Sequence, residues 1–152
     1  MLTDELVFRI VDKDDVQDYV EEQYNRDYEA VAFTYNNLTV KSRIGKKTPE
    51  KTGYFTTLWT KNESDENRPL NEDEMSDFLM VGVQDGEYEG VFIFPKEVFV
   101  EQHYISSDNV TGKMGFRVYT PWNEDLNPTA QKTFDWQKDY FVNFKDVMID
   151  DH

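Results

Sequence analysis

Residues 78–95 read FLMVGVQDGEYEGVFIFP. Residues 78–83 form an unbroken apolar run, and residues 89–94 carry a second one behind Glu89. Between them stands Asp85-Gly86, a pair that favours a tight turn because glycine enters positive φ without a Cβ penalty. An apolar run without alternation predicts a strand covered on both faces. The stretch therefore predicts a central buried hairpin with layers on either side.

Working outward, residues 30–35 and 38–44 are rich in β-branched and aromatic residues around Asn36-Asn37, which predicts a second hairpin. Residues 45–53 read as a loop containing Pro49, and residues 54–60 as a strand of alternating aromatic, aliphatic and threonine positions. Residues 62–77 are acidic and interrupted by Pro69, an excursion with a short helical turn near 72–76. Residues 115–119 complete the strands. Three helices are predicted. Asp12 caps the first, running to about Asn25 with Val16, Tyr19, Val20, Gln23 and Tyr24 on one face. Pro95 opens the second, reaching about Gln102. Asn127-Pro128 opens the third, with Ala130, Phe134, Gln137 and Phe141 in one stripe. The order predicts an α/β chain of the α+β kind: one domain over residues 1–152, built on a single mixed, largely antiparallel sheet flanked by helices.

The chain has 152 residues, long enough for one real core, and aromatics make up 15% of it. The formal charge of −15 disfavours general adhesion to nucleic acid or membranes. With no cysteine, disulfides, cysteine zinc sites and thiol catalysis are excluded. The amino terminus carries no secretory pattern, and no apolar run approaches a membrane span, so cytoplasmic residence and no membrane partner are expected.

Against that acidic background one segment is basic. Residues 41–61, KSRIGKKTPEKTGYFTTLWTK, hold Lys41, Arg43, Lys46, Lys47, Lys51 and Lys61 against one acid, Glu50. Such an island points to an anionic ligand, met by lysine point charges and by backbone N–H groups at Gly45 and Gly53. It also reads as a solvated turn that offsets the acidic surface. No P-loop pattern is present. A second segment, GKMGFRVYTPW over 112–122, sets Lys113 and Arg117 among aromatics. Arg117 there either forks onto a planar anion or pairs with a carboxylate. A third, QKTFDWQK over 131–138, adds Gln137 and Trp136 on a helix. Cations beside Trp59, Trp122 and Trp136 suit base stacking, and the same aromatics suit core packing. The expected ligand-binding set is Arg43, Lys46, Lys47, Lys51, Lys113, Arg117, Trp122 and Gln137.

For hydrolysis, Asp77 and Glu89 begin two strands that could pair and bring the acids together around Mg²⁺, with Glu29 as a possible third carboxylate. These also read as ordinary strand-end acids. His103 and His152 are too far apart for a zinc-protease helix motif, and Ser106 or Ser107 with His103 lacks a nucleophile elbow.

The combination SRIGKKTPEKTGYFTTLW (42–59), GVFIFPKEVF (90–99), GKMGFRVYTPW (112–122) and AQKTFDWQKDYF (130–141), with Tyr28-Glu29-Ala30, resembles the MepB family of small bacterial proteins. The resemblance spans nearly the whole chain from Tyr28. It implies a compact cytoplasmic α/β domain, with nucleic-acid binding and a restriction-endonuclease-like architecture associated with the family. Asp77 and Glu89 would then stand for the two acids of such a nuclease. The lysine two residues after the second acid is absent, since position 91 is Val91, and Lys96 would have to swing in. The basic segments are retained.

Three functions follow. The first is a non-catalytic binder of nucleic acid, a nucleotide or another phosphate-bearing anion in a basic-aromatic cleft, needing no cofactor. The second is a protein-interaction module using the acidic surface. The third is a metal-dependent nuclease or phosphodiesterase using Asp77, Glu89 and Glu29, with Lys96 or Lys51 as the cation and Mg²⁺ as its cofactor.

Overall fold

A computed structural model describes residues 1–147, so His152 lies outside the described residues. In chain order the strands are β1 (Val16–Glu21), β2 (Val31–Tyr35), β3 (Leu38–Ile44), β4 (Lys46–Thr48), β5 (Lys51–Thr57), β6 (Trp59–Lys61), β7 (Asn67–Pro69), β8 (Phe78–Asp85), β9 (Tyr88–Pro95), β10 (Gly115–Val118) and β11 (Phe141–Asn143). The helices are α1 (Leu2–Val7), α2 (Lys96–Glu101), α3 (Pro128–Gln137) and α4 (Phe144–Val147).

The hairpin of β8 and β9 is the centre of the molecule, in unbroken register from Phe78 opposite Pro95 to Asp85 opposite Tyr88. Gly86 makes the turn at φ +62°. A six-stranded sheet grows around it in the order β1-β2-β3-β8-β9-β11. Only the β3–β8 pairing within that sheet is parallel, so the fold is α+β with a mixed, largely antiparallel sheet. Two smaller sheets lie beside it: β10-β5-β4 and β6-β7. The predicted single sheet is thus one large sheet with two satellites, because the basic segment folds into its own hairpin.

Alternation along β8 splits the core in two. Leu79, Val81 and Val83, with Phe92 and Phe94, pack against Tyr54, Leu58, Phe99 and Phe116. Met80 and Val91 face the other way, against Leu6, Val7, Val31, Phe33, Val40 and Phe144. Both faces are covered, which is why the run lacks polar alternation. At Gly82 a Cβ would come within 2.5 Å of Leu6 Cδ1, so glycine lets α1 settle onto the sheet.

The predicted helix over residues 12–25 does not form. Asp12 does cap, accepting from Asp14 N at 3.0 Å, but what it caps is a 3-10 turn, and β1 follows as an edge strand on β2. A bulge between Gln17 and Val20, with Asp18 at φ 55°, carries the inward side from Val16 to Tyr19. That three-residue step imitates a helical stripe. Tyr19 stacks on Phe33 with ring centroids 5.5 Å apart. Helix α1 lies ahead of every predicted element. Strand β5 starts at Lys51, before the expected position 54, and Trp59–Lys61 is a separate strand paired with β7. The third helix starts as expected on Asn127, whose side chain accepts from Ala130 N at 2.8 Å. It ends at Gln137, and Phe141 pairs with Phe92 as part of β11.

Candidate ligand-binding cleft

The β4–β5 hairpin, the β8–β9 turn and the chain after β10 border an open cleft of about 780 Å³. Lys47, Lys51, Tyr54, Asp85, Tyr88 and Trp122 supply its chemistry. Alternation on β5 turns Tyr54 inward, and Gly53 at φ +85° lets the backbone pass against Tyr119, where a Cβ would meet the ring at 2.7 Å. Asp85 is the last residue of β8, so the hairpin turn delivers its carboxylate to the cleft mouth.

A hydrogen-bonded chain organises this wall. Trp122 Nε1 donates to the Tyr54 hydroxyl at 2.7 Å, and that hydroxyl donates to Asp85 Oδ2 at 2.6 Å. Lys47 Nζ reaches Asp85 Oδ1 at 3.1 Å. The bond from Tyr54, then Lys47, holds the Asp85 carboxyl below its ordinary range. Burial, then the neighbouring carboxylate, pushes the Tyr54 hydroxyl up. Trp122 stacks on Tyr88 with centroids 5.1 Å apart and planes 18° apart. Beyond that pair lies a second cleft, about 680 Å³, bordered by Glu89, Pro121, Phe144 and Lys145.

Of the eight expected ligand-binding residues, Lys47, Lys51 and Trp122 line this cleft. The others go elsewhere. Arg43 is 0% exposed and bonded through Nη2 to Glu22 Oε2 at 2.7 Å, so it is a core ion pair. Gln137 is 0% exposed and clasps β10: Tyr119 N donates to its Oε1 and its Nε2 donates to Arg117 O, both at 2.9 Å. Arg117 turns its fork onto backbone, donating from Nε to Thr52 O at 3.1 Å and from Nη2 to Gly53 O at 3.4 Å. It braces the cleft wall from outside. Lys46, one residue from Lys47 on β4, sits over the Tyr28 ring at 5.1 Å. Lys113 lies over Tyr104 at 5.3 Å.

The carboxylate set does not assemble. Glu89 pairs with Gln84 near the turn, while Asp77 precedes Phe78 at the far end of β8. Seven residues at ~3.3 Å each separate them by roughly 20 Å. Asp77 Oδ2 accepts from Thr39 N at 2.9 Å and Thr39 Oγ1 at 3.1 Å. Glu89 faces Arg9 Nη1 at 3.6 Å, and Glu29 accepts from Thr3 N in α1 at 3.0 Å. Lys96 opens α2 and donates its backbone N–H to Asp77 O at 3.0 Å. Among the described residues no three histidine, aspartate or glutamate side chains form a group able to hold a metal ion. Ser106 accepts from Gly112 N at 2.9 Å, a loop contact.

Tyr54, Asp85, Glu87, Tyr88 and Glu124 are among the cleft residues that sequence reasoning missed. The Asp85-Gly86 turn was legible, but not that a distant Tyr54 would bind its carboxylate. Among the described residues no helix is long and apolar enough to cross a membrane.

Comparison with known proteins adds three findings. No curated protein matches the chain. A solved crystal structure of MepB superposes with a TM-score of 0.85 at 43% identity, covering 94% of this chain and 97% of that one. The family model described as MepB-like matches residues 22–143, a span that contains the whole cleft. The chain belongs to the MepB-like family.

Proposed function

We propose that this protein is a non-catalytic binder of a nucleotide, free or at the end of a nucleic-acid strand, and that the Tyr54–Asp85–Trp122 cleft is the site. The observation that carries this reading is the convergence of Lys51, Lys47 and the stacked Tyr88–Trp122 pair on one cleft. Among the described residues Lys51 has no ion-pair partner, which leaves its charge for a phosphate, and an aromatic wall offers a face for a base. Tyr88 is 50% exposed, so part of that wall is open to a ligand.

The same lining limits the ligand. Asp85, Glu87 and Glu124 share the cleft with the two lysines. Three carboxylates would repel a long phosphate backbone, whereas one base with one phosphate meets Lys51 and avoids them. A metal-dependent cleavage function loses its support, since roughly 20 Å lies between the two acids it would need.

Titration with mononucleotides at low salt, followed by tryptophan fluorescence and calorimetry, tests the proposal. Saturable binding that Lys51→Ala weakens by about tenfold without lowering Tm is the expected result. An absence of heat and of fluorescence change with every nucleotide would overturn it.

A further inference from the structure

Asp85 and Lys47 stand side by side at the cleft mouth, 3.1 Å apart. Tryptophan N–H is donor only, so the Tyr54 oxygen must accept from Trp122 and its own proton must go to Asp85. The carboxylate is thereby held by both its oxygens: Oδ2 takes the Tyr54 proton and Oδ1 takes Lys47. Each carboxylate oxygen offers about two lone-pair sites, so about one remains on each. The result is a rigid pair of adjacent acceptors beside a cation. Lys47 is the open member, with its side chain 71% exposed.

The base whose edge fits is guanine. Its Watson–Crick edge carries two adjacent donors, N1–H and the N2 amino group, followed by the O6 acceptor. The two donors meet the two free acceptor sites of Asp85, and O6 meets Lys47. Adenine turns the N1 lone pair toward the carboxylate. Cytosine turns N3 and O2 toward it. Uracil has one donor set between two carbonyls. Each would leave a lone pair facing a carboxylate oxygen, which costs affinity.

Resting on the nucleotide reading above, we infer that the Asp85–Lys47 pair makes this cleft selective for guanine among the nucleobases. Lys51 is left for the phosphate and the exposed part of Tyr88 for stacking. The recognition is a reversible hydrogen-bonding event with no covalent step.

Calorimetric titration of the wild-type protein with GMP, IMP and AMP tests the assignment from the ligand side. GMP binds about tenfold to a hundredfold more tightly than AMP, the usual worth of one bidentate base-edge contact. IMP, which keeps N1–H and O6 but lacks the amino group, falls between them. Asp85→Asn, which swaps one acceptor for a donor, removes the gap between GMP and AMP, whereas Lys51→Ala weakens both nucleotides alike and leaves the gap in place. If AMP binds as tightly as GMP, or IMP equals GMP, guanine selectivity is overturned while nucleotide binding stands. If none of the three binds, both inferences fall.

Discussion

Glu22 Oε2 lies 2.7 Å from Nη2 of a fully buried Arg43, while its other oxygen takes Lys41 Nζ at 2.8 Å. Arg43 and Lys41 alternate onto the same face of β3, beside Val81 and Leu79 of β8, so one carboxylate just past the end of β1 serves both cations. Burial lowers the pKa of the Arg43 guanidinium, and Glu22 opposes that fall. The pair ties the chain after β1 to β3, two strands of the same six-stranded sheet.

Removing one partner leaves a buried charge uncompensated. Glu22→Gln destabilises the fold by about 3–5 kcal/mol, whereas Glu22→Leu combined with Arg43→Met recovers most of that loss. Denaturant midpoints at constant slope measure both. A change of under about 1 kcal/mol for Glu22→Gln would contradict this account.

Gln137 closes the other side of the same core. Gln137→Leu keeps the volume but strips partners from Tyr119 N and Arg117 O, and each lost partner costs about 1–3 kcal/mol. The Tyr119 amide loses hydrogen-exchange protection before the amides of β8 and β9 do. Equal loss of protection in all three strands would mean that Gln137 supports the whole fold and not the β10 edge.

Tyr54→Phe deletes the hydroxyl between Trp122 and Asp85. Trp122 Nε1 loses its acceptor, at a cost of about 1–3 kcal/mol. Trp122 emission shifts, and the indole N–H chemical shift moves, while the emission of Trp59 and Trp136 stays in place. Unchanged Trp122 signals would show that the hydrogen-bonded chain is not formed in solution.

Acid pH tests the same chain and the Arg68–Glu74 pair. Asp85, bonded by Tyr54 and then Lys47, titrates below its ordinary 3.8, and Glu74, bonded by Arg68, below its ordinary 4.5. A depressed carboxyl gives stability that is fully present above its ordinary value and is lost as pH falls through the depressed one. Tm therefore declines on acidification below about pH 4.5, as protons enter the unfolded state first. The decline is shallower in Tyr54→Phe, which has already lost the main bond to Asp85. A parallel decline in both proteins would remove Asp85 from the account.

How much was legible follows particular residues. The β8–β9 hairpin was readable because its signals are local: apolar runs, a turn pair and Pro95 at a helix start. Asn127-Pro128 was readable for the same reason. Residues 16–20 were not, because a bulge gives an edge strand the spacing of a helix. Among the cleft-lining residues, Lys47 and Lys51 stand out in the sequence by charge density alone. Arg43, Arg117 and Gln137 carry the same chemistry as ligand-binding groups, and only their partners show that they hold the fold together.

The amino-acid sequence by itself determined the central hairpin, the α+β class and the contrast between a basic segment and an acidic chain. Those properties depend on neighbours within a few positions, where periodicity and turn chemistry act. The tertiary structure alone decided which polar groups face a cleft and which are spent in the core. Tyr54, Asp85 and Trp122 are more than thirty residues apart in pairs, and their meeting depends on the register of β5 against β10 and on the turn after β8. A hydrogen-bonded site of this kind exists only once the layers have packed.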